Sequence, residues 1–338
     1  MKPSSKHHIL LIITLLLHIY LVGQTTQEVA RVSITVSDLE QSVRFYEEVL
    51  TFKKVGEYEL NNSITQPLFG VNNPATVAIL QLGDERIELL QFKNNSDKRL
   101  IPSDSKSNDL WFQHIAIVVS SMEKAYERLR QYKVQHVSTA PQTLPAYLPA
   151  ASGISAFYFR DPDGHNLEII HFPKGKGNKK WQKPSKQLFL GIDHTAIGID
   201  DTDKSLKFYQ DLLGLKVAGN SENYGSEQEH LNQVFGAHLI ITGLKAQQGF
   251  GVEFLDYLAP PGGRNYPTDS KVTDLWHWHT TIVVNDVNET FIRLKEKGYI
   301  IVSQGLADVK HPIFGNTKAF LARDPDGHAI LIIVSNNL

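Results

Sequence analysis

The chain has 338 residues, with 34 Lys or Arg against 36 Asp or Glu, and its formal net charge at pH 7 is −2. A charge so close to zero gives no indication of a nucleic-acid partner. The absence of cysteine excludes disulfides, thiolate metal ligands and a cysteine nucleophile. The length fits two domains of ordinary size, each able to bury its own core.

The N-terminal segment differs from the rest of the chain. Lys2 and Lys6 precede an apolar run over residues 9–22, after which the chain turns polar near Gln24. This order is typical of a secretory signal, and a run of about 14 residues is shorter than the roughly 20 that span a bilayer as a helix. We predict a signal peptide at residues 1–23 and a periplasmic or secreted mature protein. A retained membrane anchor is the alternative.

The first half of the mature chain contains two blocks of similar organisation. The first opens with the alternating strand "RVSITV" at Arg31, followed by a helix for which Asp38 offers a cap, and then by the strand-like segments "TVAILQL" and "RIELLQF". The second opens with "HIAIVV" at His114, continues into an amphipathic helix and closes with the strands "AFYFR" and "NLEII". Residues 173–187 are rich in Lys, Gly and Pro and are predicted to be a solvated linker.

The second half repeats the first. "DLEQSVRFYEEVLTFKKV" from Asp38 recurs as "DTDKSLKFYQDLLGLKVA" from Asp201, and "FRDPDGHNLEII" from Phe159 recurs as "ARDPDGHAILII" from Ala322. The chain is therefore predicted to be an α+β protein of four βαβββ modules, two in a domain at 29–172 and two in a domain at 188–335. The two Asp-Pro-Asp-Gly segments indicate tight turns, and the histidines that follow them are expected to cap or pack.

Four positions that are equivalent in the two halves carry residue types suited to metal binding, or their replacements. The first half has Arg31, Glu88, His114 and Glu168, and the second has His194, Glu253, His279 and Leu331. A carboxylate between apolar neighbours in a strand costs several kcal/mol or more to bury alone. It needs a cation, a metal or a water-filled cavity. Neither half holds two His and two Glu, but a combination across the halves does.

The repeats resemble the vicinal oxygen chelate superfamily, which includes glyoxalase I, type I extradiol dioxygenases and antibiotic-resistance proteins. The segments "DHTAIGIDD", "FQHIAIVV" and "DPDGHNLEII" carry the resemblance, which extends from about Val29 to Ile333. It implies two cupped mixed β-sheets, each formed by two modules around a divalent metal. The ligands would come from the first and fourth strands of one module and from the first and last strands of the other.

The pairing of the modules decides which ligands meet. If modules one and two share a cup, and three and four share another, both sites are incomplete. If module two pairs with three and one with four, as resemblance to fused monomeric glyoxalase I proteins implies, one site is whole. This inner cup would hold His114, Glu168, His194 and Glu253, and the outer cup would hold Arg31, Glu88, His279 and Leu331. We favour the second pairing because it confines the loss to one site, although tandem extradiol-type proteins pair their modules sequentially.

Two imidazoles and two carboxylates suit a divalent ion such as Ni, Zn, Co, Mn or Fe(II). The resemblance implies a glyoxalase-like lyase or isomerase that acts on a small vicinal-oxygen substrate through a metal-bound enolate, with Glu168 as general base and Glu253 as its partner. One alternative is an Fe(II) extradiol-type dioxygenase with His114, His194 and Glu168 as the iron ligands. Another is a non-catalytic binding or resistance protein. We expect a monomer or homodimer, without nucleic acid and without a membrane contact once the signal is removed.

Two segments of the sequence argue against glutathione as the substrate. Glyoxalase I proteins hold the glutathione carboxylates with basic residues near these ligand strands, where this chain has Gly198 and "DLWFQ". Arg264 offers a cation for an anionic substrate, or is simply exposed. Five aromatic residues are either pocket lining or, as we favour, core. They are Trp111, Phe112, Tyr257, Trp276 and Trp278.

Overall fold

The computed structural model describes residues 26–94, 96–261 and 263–335, with backbone alone at residues 112 and 113. The predicted signal peptide at residues 1–23 lies outside the described residues, so it stays a prediction. Among the described residues, no helix combines the length and the apolar character needed to cross a membrane.

Each of the four modules follows the predicted order of strand, helix and further strands. Module one comprises β1 (Thr26–Thr35), α1 (Leu39–Glu48), β2 (Lys53–Leu60), α2 (Asn62–Phe69), β3 (Ala75–Leu82) and β4 (Glu85–Phe92). Module two comprises β5 (Phe112–Val119), α3 (Met122–Gln131), β6 (Gln135–His136), β7 (Gln142–Thr143), β8 (Ser155–Arg160) and β9 (Asn166–His171).

The second half has the same organisation. Module three comprises β10 (Phe189–Ile199), α4 (Thr202–Leu206) with a π-helical continuation (Lys207–Leu212), β11 (Lys216–Tyr224), α5 (Ser226–Asn232), β12 (His238–Lys245), β13 (Gln248–Gly249) and β14 (Gly251–Ala259). Module four comprises β15 (Trp278–Val284), α6 (Val287–Glu296), β16 (Ala307–His311), β17 (Gly315–Arg323) and β18 (Ala329–Ile333). The predicted α+β class is confirmed. The short helices α2 and α5 were not predicted.

The main helix of every module begins after a side chain that caps it. The capping side chains accept a hydrogen bond from a backbone N–H in the first turn, and they belong to Asp38, Ser121, Asp201 and Asp286. An N-cap oxygen of this kind satisfies a donor that has no partner within the helix. The cap predicted at Asp38 is confirmed, and its recurrence shows that local sequence sets where these helices start.

The sheets join modules from opposite halves of the chain. One mixed sheet has the strand order β16-β17-β18-β15-β1-β4-β3-β2, and the other has the order β11-β12-β14-β10-β5-β9-β8-β6. At their centres β1 pairs antiparallel with β15, and β5 pairs antiparallel with β10. Module one therefore pairs with four and module two with three, as favoured above, and the sequential pairing is not observed. The domain limits of 29–172 and 188–335 along the chain stay a prediction.

The alternation of residues along each central strand separates core from site. Ile115 and Ile117 of β5 lie in a large core that also contains side chains from the main helices of all four modules. Ala116 and Val118 point to the opposite face, where they belong to a separate cluster. Because residues two apart in a strand share a face, His114 lies with Ala116 on that second face, as predicted.

The linker at residues 173–187 differs from the solvated tether that its composition predicted. It contains a 3₁₀ turn (Lys179–Gln182) whose Trp181 is half-buried against the cluster of Ala116 and Val118. Lys176 donates hydrogen bonds to backbone carbonyls of the loop before β8. Lys174, Lys179, Lys183 and Lys186 are exposed, whereas Lys176, Lys180 and Trp181 are half-buried. The composition of the segment did not indicate these three contacts.

Candidate metal centre

Four neighbouring strands of the second sheet, in the order β14-β10-β5-β9, carry the four residues predicted for the inner cup. Glu253 lies on β14, His194 on β10, His114 on β5 and Glu168 on β9. All four therefore come from one chain, and the site needs no second copy to supply a ligand.

Two alanines make room for these side chains. In the central antiparallel pair, His114 lies opposite Ala196, and His194 lies opposite Ala116. Glu168 is in register with Ala116, and Glu253 is in register with Ala196. In-register neighbours share a face of the sheet. Each alanine thus lies between an imidazole and a carboxylate, and its methyl group leaves the space above it open.

The polar ends of the four side chains converge. His114 Nε2 is 3.1 Å from Glu168 Oε2, and His194 Nε2 is 3.7 Å from the same oxygen. His194 Nε2 is also 3.3 Å from Glu253 Oε2. One ligand atom each of His114, His194 and Glu253 lie within 4.8 Å of one another. The structure therefore brings the predicted set together, although the assignment of each residue as a metal ligand stays a prediction.

Several of the converging atoms are buried without a hydrogen bond. Within the described part of the chain, both ring nitrogens of His114, Nε2 of His194 and Oε2 of Glu168 have no hydrogen-bond partner. The two Nε2 atoms lie 3.1 and 3.7 Å from Glu168 Oε2, but neither contact has the geometry of a hydrogen bond. Buried polar atoms almost always have a partner, so this cluster indicates a missing one.

The spacing of these atoms fits a divalent ion. Zinc-type ions bind imidazole and carboxylate at about 2.1 Å, so neighbouring ligand atoms lie about 3.0 Å apart at a right angle and about 3.4 Å apart at a tetrahedral angle. The distances of 3.1 and 3.3 Å fall within that interval, and the third distance, 3.7 Å, is slightly longer. The donor set of nitrogen and oxygen likewise suits a borderline divalent ion. The residues present therefore fit the metal that the sequence predicted.

Charge in the site is balanced by His194 when no metal is bound. Burial lowers the pKa of His194, but the carboxylates of Glu253 and Asp193 outweigh it and hold that pKa well above its usual value. Burial raises the pKa of Glu253, whereas His194 lowers it, and the net shift is downward. A proton on His194 thus supplies positive charge beside the carboxylates of Glu253 and Asp193, and a metal ion would take over that role.

A cavity of about 120 Å³ opens beside Glu168, His194 and Glu253. Besides His194, Glu168 and Glu253, its lining includes Asp193 and the loop that follows β7, and no Lys or Arg occurs among the described lining residues. Module two contributes the phenol of Tyr158 to the wall, and module three contributes three further neutral polar residues. These three residues are Ser221, Asn223 and Gln228.

Asn223 has an amide oxygen available to a ligand. Its side chain is 3% exposed, and its Nδ2 donates to Gln228 Oε1 at 3.0 Å, which leaves Oδ1 without a partner in the described part of the chain. Leu144 and Ala151, from the loop between β7 and β8, line this cavity.

The outer cup is closed by an ion pair. Arg31 NH1 is 2.6 Å from Glu88 Oε1, and His311 Nε2 is 2.9 Å from the same oxygen. Ser33 and Tyr58 donate further hydrogen bonds to Glu88 at 2.9 and 3.2 Å. Burial opposes the ionised form of Glu88, but the Arg31 guanidinium and His311 hold its pKa far below the usual range.

The remaining outer-cup positions offer little to a cation. Burial lowers the pKa of His279 to about 4, so this imidazole is neutral. Leu331 has no donor atom. His311 was missed because it lies on β16, at a position that is not one of the four ligand positions of the repeat.

The aromatic residues considered for a pocket belong mainly to the interior. Trp111 and Trp276 pack with Tyr266 in a buried cluster, and Trp278 belongs to the main core. Tyr257 is buried and accepts a hydrogen bond from Asn232. None of these residues is among the described lining of the inner cavity. The structure therefore places them in the core, which is the interpretation favoured above. The side chain of Phe112 lies outside the description.

Arg264 does not face the inner cavity. It forms ion pairs with Asp104 and Asp109 at 3.1 and 3.3 Å, so the suggested contact with an anionic substrate has no support. His165 and His328 are held at 2.8 Å by Asp161 and Asp324 of their own turns, which confirms their expected structural role.

Comparison with known proteins agrees with this architecture. A sequence model of the Glyoxalase/Bleomycin resistance protein/Dioxygenase superfamily matches residues 28–169 and 191–332. The chain therefore belongs to this superfamily, and the predicted resemblance is confirmed. A 2-epi-5-epi-valiolone epimerase from Actinomyces sp. is 31% identical over 158 residues, which cover 44% of this chain and 80% of the epimerase. A probable lactoylglutathione lyase from Synechocystis sp. is 28% identical over 43% of this chain and 95% of the lyase.

Solved structures show the same fold over most of the chain. Glyoxalase I from Zea mays has a TM-score of 0.58 and 17% identity, and the match covers 90% of this chain and 91% of that one. A putative dioxygenase from Bacillus subtilis has a TM-score of 0.58 and 14% identity, and the match covers 93% of this chain and 87% of that one. At these identities the similarity concerns the fold alone.

Proposed function

We propose that the inner cup is the active site of a divalent-metal-dependent enzyme of the glyoxalase and epimerase type, which moves a proton at a carbon beside a carbonyl group. The observation that carries this proposal is the cluster of unpartnered buried atoms on His114, His194 and Glu168, with Glu253 beside it. Ni, Zn, Co, Mn and Fe(II) are the ions that suit this donor set.

A divalent ion held by these side chains would act as a Lewis acid that polarises a substrate carbonyl and acidifies the neighbouring C–H bond. The chain itself supplies the bases. Glu168 lies beside both imidazoles, and its carboxylate would be the base that accepts a proton from a carbon acid. Glu253 lies on the other side of the central strand pair, with its side chain 24% exposed. Two carboxylates on opposite sides allow removal of a proton on one face and its return on the other, as an epimerisation requires.

The cavity favours an uncharged, hydroxylated substrate. Its described lining holds carboxylates, imidazole and neutral amides but no Lys or Arg, so an anionic substrate would meet like charges. The free Asn223 Oδ1 accepts a hydrogen bond from a hydroxyl group. The relative named as an epimerase supports this class. Relatives named as lactoylglutathione lyases support the lyase alternative, but glutathione carries carboxylates for which the described wall offers no Lys or Arg.

The test is isotope exchange at carbon. Protein stripped of metal and reloaded with each of the five ions is incubated in D₂O with uncharged α-hydroxyketones, of which dihydroxyacetone is the simplest. NMR then follows replacement of the carbon-bound hydrogen next to the carbonyl. We expect exchange that depends on metal and is lost in Glu168→Gln. Exchange that is absent with every ion, or unchanged in Glu168→Gln, would refute the proposal.

A dioxygenase is the second candidate because His114, His194 and Glu168 form a two-histidine, one-carboxylate set. In that case Glu253 would be a fourth protein ligand, which a dioxygenase of this type does not need. Oxygen consumption with catechol, after anaerobic loading with Fe(II), distinguishes the two candidates. Tight binding of ligand by metal-free protein, without turnover in either assay, would favour a binding or resistance protein.

We also propose that the protein is exported to the periplasm or secreted, on the basis of the basic and apolar pattern of residues 1–23. Expression of the full chain followed by mass measurement of the exported fraction tests this. The expected mature protein begins near Gln24. Recovery of uncleaved protein in the membrane fraction would instead indicate a retained anchor.

A further inference from the structure

The linker between the two halves contacts the ligand strand β10 beside the candidate metal centre. Trp181, in the 3₁₀ turn of the linker, donates its indole N–H to Asp193 Oδ1. The other oxygen of that carboxylate, Oδ2, is 3.1 Å from His194 Nδ1. An unbroken chain of hydrogen bonds therefore runs from the linker to one of the imidazoles of the site.

These hydrogen bonds determine which nitrogen of His194 faces the site. A carboxylate only accepts hydrogen bonds, so Nδ1 of His194 donates to Asp193, and Nε2 is directed toward Glu168 and Glu253. His114 lacks such a partner, since its Nδ1 is unpartnered in the described part of the chain. Its ring instead packs against Tyr158, with centroids 4.8 Å apart. Only His194 is thus oriented by a hydrogen bond.

The linker is anchored on β10 by a second set of contacts. Lys180 pairs with Glu85, which begins β4 in the other sheet. The same carboxylate accepts a hydrogen bond at 3.1 Å from the backbone N–H of Ile192, two residues before His194. Gly191 permits this approach, because a Cβ there would lie 2.3 Å from Glu85 Oε2 and 2.8 Å from the Trp181 ring. The linker is therefore held in a defined position against β10, the strand that carries His194.

We propose that Trp181 and Asp193 are positioning residues that orient His194 for metal binding, so that the linker is a working part of the site. The inference rests on the proposed metal centre. Carboxylates that hold a ligating histidine by its other nitrogen fix its tautomer and ring orientation, and their removal lowers metal affinity by about 10- to 100-fold.

The experiment measures Co(II) affinity by competition with a chelator, together with the visible absorption of the bound Co(II). Trp181→Phe retains the ring packing but removes the N–H group, and we expect about a tenfold weaker affinity. Asp193→Asn allows the amide to donate to Nδ1, which places the ring proton on Nε2, and we expect a loss near 100-fold. Both variants should shift the Co(II) absorption bands. Lys179→Ala, in the same turn, serves as the control with wild-type affinity and spectrum.

The outcomes separate the two proposals. If wild-type protein does not bind Co(II), the proposed function fails, and this inference fails with it. If wild-type protein binds Co(II), and Trp181→Phe and Asp193→Asn bind it with unchanged affinity and spectrum, the inference alone is overturned. If one variant does not fold, the other decides the question by the same two measurements.

Discussion

Replacement of Arg31 by methionine tests the account of the outer cup. Arg31 is 2% exposed and Glu88 is 3% exposed, so the substitution leaves a carboxylate buried without its guanidinium partner. Ser33, Tyr58 and His311 would remain as its hydrogen-bond partners. The substitution also removes the guanidinium from the face of a phenylalanine ring, 4.2 Å from its centroid.

The expected cost follows from these contacts. At a separation of 2.6 Å and an effective dielectric constant of about 20, the gross attraction between the charges is about 6 kcal/mol. Desolvation of both groups offsets much of that attraction, and removal of one partner of a buried pair costs about 3–5 kcal/mol. The hydrogen bonds from Ser33 and Tyr58 to the Glu88 carboxylate would remain. We therefore expect Arg31→Met to lower the free energy of unfolding by about 3 kcal/mol at pH 7.

Urea unfolding of Arg31→Met, Glu88→Gln and the double variant measures this cost as a double-mutant cycle. Glutamine keeps one acceptor oxygen and presents its NH2 group to the other hydroxyl, whose oxygen can accept from it. Because glutamine is uncharged, the double variant should recover about 2 kcal/mol relative to Arg31→Met alone. If each single change costs less than about 1 kcal/mol, or if the two losses simply add, the ion pair does not stabilise the outer cup as argued.

Three further predictions concern the inner cup. His114→Gln should lose bound metal by elemental analysis, whereas His279→Gln at the equivalent buried position of the outer cup should keep it; equal metal content in the two would contradict the assignment. The pKa of His194 is raised in metal-free protein, so its interactions with Glu253 contribute stability that is present at low pH and lost as pH rises through the raised pKa. Melting curves should therefore show a stabilisation by metal that grows with rising pH; a constant or shrinking difference would contradict this sign. Asn223→Leu should raise KM for an uncharged hydroxyketone with little change in kcat, since its contact with a hydroxyl is the same in ground and transition states; a fall in kcat alone would place Asn223 in the chemical step instead.

Local sequence determined the modules and the faces of their strands. Capping residues such as Asp38 mark the helix starts because their side chains satisfy N–H groups a few residues away. The alternation around His114 assigns that residue to the face of Ala116 because strand geometry repeats every two residues. These interactions act over a few residues, so a single sequence suffices to infer them. The repeat then identified the equivalent positions of His194, Glu253 and Glu168.

Only the tertiary structure decided which modules meet. The first strands of all four modules have similar patterns, and a pattern states which face is apolar but not which strand lies alongside. The pairing of β5 with β10 brings His114 next to the other ligands, whereas the pairing of β1 with β15 leaves Arg31 to fill the second cup. His311 contacts Glu88 in the outer cup, and Trp181 contacts Asp193 beside the inner cup. The composition of their segments indicates only exposed polar residues. The positions of these two residues depend on packing between segments far apart in sequence. Local sequence patterns do not indicate such contacts.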